Sequence, residues 1–160
     1  MIPLTHVLNI KIQSYIKNGL DISDLIADVD IKNADLTGAV IKNIRLIDKD
    51  ISSCNFTATK IGNPDNPCFF IRCNMNNCNF EGGQFTGKVM VRSCKAHNCN
   101  FRNADIAKAE YQYSDFTDST FCNAIIKIGT REGLGCIFPI KMFQDLCEGW
   151  KMKIKAEPIE

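Results

Sequence analysis

The apolar positions of this chain recur every five residues over most of its length. Taking one bulky residue per repeat as the centre, the centres run Ile31, Leu36, Ile41, Leu46, Ile51, Phe56 and Ile61. They resume at Phe70, Met75, Phe80 and Phe85, and after a one-residue slip run Val91, Ala96, Phe101, Ile106, Tyr111, Phe116, Phe121 and Ile126. All 19 are apolar or aromatic, where a chain with 45% of such residues would give about nine by chance. Two residues before the centre, 15 of the 19 positions hold Ala, Cys, Ser, Thr or Gly. A period of five fits neither a helix nor a flat strand. It needs a chain that turns a corner in every repeat and returns its core residues to one axis.

The segments Asn33-Ala34-Asp35-Leu36-Thr37, Ser53-Cys54-Asn55-Phe56-Thr57, Asn77-Cys78-Asn79-Phe80-Glu81, Asn98-Cys99-Asn100-Phe101-Arg102 and Asn103-Ala104-Asp105-Ile106-Ala107 are variants of one pattern. A small residue is followed by Asp or Asn and then by an apolar residue. The pattern resembles the A(D/N)Lxx signature of the pentapeptide-repeat proteins, over roughly residues 29 to 128. The resemblance implies an all-β solenoid, a right-handed quadrilateral β-helix with four pentapeptides per coil. Centre and small residue point inward, and the other three point out.

Stacking the centres by coil tests this. One column reads Leu36, Phe56, Phe80, Phe101 and Phe121, and another Ile41, Ile61, Phe85, Ile106 and Ile126. The alignment requires Gly62 to Asn66 to leave the coil as a bulged loop, and Asn63-Pro64-Asp65-Asn66-Pro67 has the chemistry for it. The slip at Gly87-Lys88 predicts a one-residue bulge. About five coils spaced ~4.8 Å apart make a rod roughly 24 Å long. Ile44 and Lys49 stand where a small residue belongs, so a distorted corner is expected between Ile44 and Ile51.

Residues 1–28 are expected to cap the first coil, residues 29–128 to form the β-helix, and residues 129–160 to form a C-terminal cap and tail. Leu4, Val7, Leu8, Ile12, Tyr15 and Ile16 fall on one helical face, with Thr5 placed to cap the start and Gly19 to end it. The alternation Val7-Leu8-Asn9-Ile10-Lys11-Ile12 leaves a strand as the alternative. Ser23-Asp24-Leu25 reads as an irregular first rung. Near the other end Pro139 suits a first helical position. Met142, Phe143, Leu146 and Trp150 then make an apolar stripe that serves either as a lid on the last coil or as a dimer contact. The family resemblance supports the second use, because in quinolone-resistance members a C-terminal element makes a homodimer.

Nine cysteines would ordinarily suggest disulfides or metal. Here Cys54, Cys68, Cys73, Cys78, Cys94 and Cys99 all occupy the small inward position, so they read as small buried hydrophobes. Cys122, Cys136 and Cys147 lie outside that pattern and are expected to be reduced. No metal-ligating, cofactor-binding or catalytic set is expected: His6 and His97 lack partners at ligand spacing, and no glycine cluster forms a phosphate loop. The Asp and Asn residues before the centres recur because they suit turning backbone. The N-terminus shows no signal-peptide pattern and no stretch of 18 apolar residues exists, so the expected location is cytoplasmic and no membrane contact is expected.

A non-enzymatic interaction or scaffold protein is therefore the expected function. The apolar Ile47, Phe69, Ile71 and Met90 are predicted to point outward on one face, either as an interface for a protein partner or under a terminal segment. The family resemblance raises an alternative, mimicry of DNA toward a type II topoisomerase such as gyrase. That needs a dense negative surface. Residues 29–128 hold 12 basic and 10 acidic residues, a net of +2, which disfavours it. Arg72, Arg92, Lys95 and Arg102 could form a basic strip, but a whole-chain net charge of +1 makes a nucleic-acid partner unfavourable.

Overall fold

A computed structural model describes residues 2–127 and 135–142. Strand β1 (Ile2–Pro3) leads into helix α1 (His6–Lys17) and the helical turn α2 (Ser23–Ile26). The coil follows, with β2 (Val29–Asp30), β3 (Val40–Ile41), β4 (Arg45–Ile47), β5 (Lys60–Ile61), β6 (Cys68–Ile71), β7 (Gln84–Phe85), β8 (Val89–Arg92) and β9 (Ala109–Gln112).

All strand pairs are parallel and stack on successive coils. Four ladders run up the rod, one per side. The first joins Asp35, Asn55, Asn79, Asn100 and Thr120; the second extends β3-β5-β7 to Asp105 and Ile125. The third is the sheet β4-β6-β8-β9, and the fourth joins Asp50, Asn74, Lys95, Asp115 and Ile137. The all-β solenoid read from the period is thus the fold. Its count of about five coils is reached only by including single bridged residues, since the longest sheet of true strands has four.

Small residue and centre are buried in nearly every repeat, and the other three residues of the repeat lie mostly outward or half-buried. The Phe56, Phe80, Phe101 and Phe121 rings form a single pile, with centroids 4.8, 5.0 and 4.9 Å apart and nearly parallel planes. The spacing is that of the strands, so backbone pairing sets the ring separation.

The corners show what the polar positions do, and they correct one expectation. The residue that turns into the left-handed region is the second after the centre: Asn33, Ser53, Asn77, Asn98, Asn103 and Asn123 all have φ between 55° and 61°. The Asp or Asn before the centre does not turn. Its side-chain oxygen accepts from the N–H two residues on, as in Asp35 to Thr37, Asn55 to Thr57, Asn79 to Glu81 and Asn100 to Arg102. The amides also tie coils together: Asn55 and Asn79 Nδ2 donate to the Thr37 and Thr57 hydroxyls one coil below, both at 2.9 Å.

The inward cysteines add a second set of ties. Cys54, Cys78 and Cys99 Sγ donate to the carbonyls of Ile31, Ile51 and Met75, centres one coil below, at 2.7 to 3.0 Å. Ser119 Oγ repeats this toward Ala96 at 2.6 Å. Burial pushes the Cys54 thiol up to about 11 and Cys99 to about 12. All six inward cysteines are at most 2% exposed, so native protein treated with a thiol reagent is expected to show at most three reactive cysteines, with the six inward ones reacting only after denaturation. A fourth fast thiol in a native titration would contradict this packing.

Helix α1 forms as the helical reading expects. Thr5 Oγ1 accepts from Leu8 N, and Gly19 ends the helix as expected: it follows the C-cap Asn18 at φ 64°, with its N–H on Ile16 O and the Leu20 N–H on Tyr15 O. Ile12 is buried, with Leu8, Tyr15 and Ile16 packed beside it, whereas Val7 is 77% exposed and lies off the buried stripe. Gln13 Nε2 donates to Asp35 O, which fastens the helix to the first coil.

Two rungs lie outside the counted period. Asp21 bridges Val40, so buried Ile22 stands beneath Ile41. Ile137 bridges Asp115, and Phe138 stacks on Phe116 at 5.1 Å. The distortion expected between Ile44 and Ile51 is absent. Ile44 is buried, Lys49 is half-buried, and Arg45↔Phe69, Leu46↔Phe70 and Ile47↔Ile71 keep regular register.

Candidate interaction face

The third side of the rod carries its longest strands. With the centres Leu46, Phe70, Val91 and Tyr111 inside, the residues flanking them must point out. Parallel register then forms two outward rows: Arg45, Phe69, Met90 and Glu110; and Ile47, Ile71, Arg92 and Gln112. All four residues singled out for this face, Ile47, Phe69, Ile71 and Met90, come together here and are half-buried. Phe69 adjoins Met90 and Ile47 adjoins Ile71. The Arg45 guanidinium lies 5.2 Å from the Phe69 ring centroid and covers part of it.

The loop beside this face is anchored. Asn63 Oδ1 accepts from Asp65 and Asn66 N–H at 2.7 and 2.8 Å, the turn chemistry read from the sequence. Its base rests on Gly87, where a Cβ would land on the Asn63 carbonyl oxygen. The bulge and the loop are therefore one feature: the extra residue of the upper coil is the seat for the longer excursion below.

Three ion pairs join cations to carboxylates on the rod. Arg72 grips Asp48 with two bonds of 2.6 Å, Lys32 meets Asp50 at 2.8 Å, and Lys88 meets Glu110 at 2.9 Å. Arg72 is thus committed, and Lys95 and Arg102 sit on different sides from Arg92, so the four cations do not make a strip. Asp50 is held at about 2, first by the Lys32 hydrogen bond. A depressed carboxyl stabilises the fold above its ordinary pKa and loses that contribution as pH falls toward 2. Asp50→Asn is expected to flatten the acid limb of stability against pH below about 4, and to do so less at high salt. An unchanged acid limb would contradict the pairing.

His97 Nε2 lies 2.9 Å from Asp115 Oδ2, off the line of a hydrogen bond. Among the described residues no group of three or more His, Cys, Asp and Glu could hold a metal. Nor is any helix among them long and apolar enough to cross a membrane. Met142 is buried and belongs to the core cluster. Phe143, Leu146 and Trp150, with Cys147, lie outside the described residues.

Residues 92–127 match the family model for pentapeptide repeats, in eight copies. A search of curated proteins finds no match. Among solved structures the chain is similar to a trypsin-treated variant of QnrB1, a plasmid-mediated fluoroquinolone resistance protein. That pair shares 12% identity over 81% of this chain and 90% of the other, with a TM-score of 0.32. It is similar also to a pentapeptide repeat protein from the Arabidopsis thaliana thylakoid lumen (12% identity, 74% of this chain and 77% of that one, TM-score 0.32). A third is HetL of the cyanobacterium Nostoc sp., a pentapeptide repeat protein involved in heterocyst differentiation regulation (13% identity, 69% of this chain and 57% of that one, TM-score 0.27). The five-residue corners and the paired small and bulky inward residues seen along the coil lead to one conclusion: residues 92–127 are pentapeptide repeats, and the same repeat geometry runs through the coil before them.

Proposed function

We propose that the protein is a non-enzymatic interaction or scaffold protein, and that it presents the outer face of β4-β6-β8-β9 to a protein partner. The observation that carries this reading is the in-register cluster of Ile47, Ile71, Phe69 and Met90 at the middle of a flat four-stranded face. A contiguous outward apolar patch is the ordinary mark of a contact surface. The pairing of Asp48, Asp50 and Glu110 with cations favours a protein contact over imitation of a phosphate backbone. The free core thiols agree with a reducing, cytoplasmic setting.

The test is affinity capture from the native host with wild type, Phe69→Asp and Met90→Asp. Both substitutions point outward, so melting temperature should move by only a few degrees, while specific capture falls at least tenfold. Equal capture by all three proteins would refute the reading.

A further inference from the structure

We infer that the partner of this face is a second copy of the chain, packed face to face with the two rods antiparallel. The inference rests on the proposed contact role of the face and names its occupant. The argument is the order of residues along the rows. From bottom to top one row reads Arg45, Phe69, Met90, Glu110. A two-fold axis lying in the interface along the strands reverses that order in the partner. Arg45 then faces Glu110 of the other copy at both ends, and Phe69 faces Met90 in the middle. The other row, Ile47, Ile71, Arg92, Gln112, reverses onto itself with Ile71 opposite Arg92 and Ile47 opposite Gln112. No like charges meet in either row.

The rival arrangement has parallel rods, with the axis along them, so that one row meets the other. It sets Arg45 against Ile47, Met90 against Arg92 and Glu110 against Gln112, and leaves both terminal charges without an opposite. Charge complementarity thus selects the antiparallel copy, since unlike pairs fix register and like pairs exclude the wrong one. Arg45 already lies over Phe69 on this face, and Glu110 uses Oε1 for Lys88.

The patch also sets the strength. Four strands ~4.8 Å apart, one of three residues and three of four, cover roughly 250 Å² at most, far less than the ~800 Å² per partner of a standard interface. The dimer is therefore a weak one.

Sedimentation equilibrium of the full chain, from about 5 to 500 μM at low salt, reads this directly. Wild type is expected to show a monomer–dimer equilibrium that Phe69→Asp weakens at least tenfold. Arg45→Glu and Glu110→Arg, each alone, should weaken it by a similar factor, and the double swap should restore it to within about threefold of wild type. Restoration is the decisive arm, because only an antiparallel pairing predicts it. Circular dichroism and melting of each variant exclude misfolding as the cause. Three results would overturn the inference: a wild-type monomer throughout, a dimer indifferent to all the swaps, or a double swap as weak as the singles. None of these alters the capture experiment above, where a different protein partner would still depend on Phe69 and Met90.

Discussion

Phe80→Ala is expected to lower the free energy of unfolding by roughly 3–5 kcal/mol, the range for removing a buried phenylalanine. Phe80 is the third side chain of its column and has ring neighbours on three sides. Phe56 lies 4.8 Å below, Phe101 5.0 Å above, and Phe85 stands edge-on at 6.5 Å. Truncation removes three ring contacts and leaves a cavity that the flanking coils cannot close, because parallel backbone pairing fixes their separation. Phe80→Leu should cost about 1–2 kcal/mol, since most of the volume stays and only the ring contacts go. Urea unfolding followed by circular dichroism measures both. A loss under about 1.5 kcal/mol for the alanine variant would mean that the aromatic pile does not hold the coils.

The second large effect is at Gly87. An added Cβ meets the Asn63 carbonyl, a backbone atom that cannot rotate away, so Gly87→Ala should destabilise by about 2–3 kcal/mol. The sequence supplies an unusual control. Deleting Asn63 to Asn66 joins Gly62 to Pro67 and leaves Cys68 and Phe70 in phase with Ile61. That deletion should fold, because the excursion carries none of the buried core. In its background Gly87→Ala should cost under about 1 kcal/mol, a non-additivity that signals direct contact. If the alanine cost is the same with and without the loop, the seat is not what makes Gly87 necessary.

The sequence shows the coil clearly because nearly every repeat places a bulky residue and a small one in a closed space, and Lys49 is the single charge among those positions. Phe56, Phe80, Phe101 and Phe121 were therefore readable as a column, and so were Ile47, Phe69, Ile71 and Met90 as a shared outward face. Other features left weaker traces. Ile22 and Phe138 are separated from the regular run by α2 and by residues 128–134, so counting fives passes over them. Strand β1 pairs through two residues only, too short for any alternation to show. The role of Asp35 or Asn79 could not be told from composition, because the same residue types favour both turning and accepting at a turn. The register along each row, and with it the reversal of charge from Arg45 to Glu110, depends on where the loop and bulge fall.

The ladders have a mechanical consequence. Their hydrogen bonds run along the rod, as do the Asn55-to-Thr37 and Cys78-to-Ile51 ties. Tension on one chain end along that direction opens a single rim at a time. The rod should therefore unravel as a train of small force peaks, each releasing one turn of chain, with the next turn exposed as the new end. A pull across the rod loads many ladders together and should meet one much higher peak.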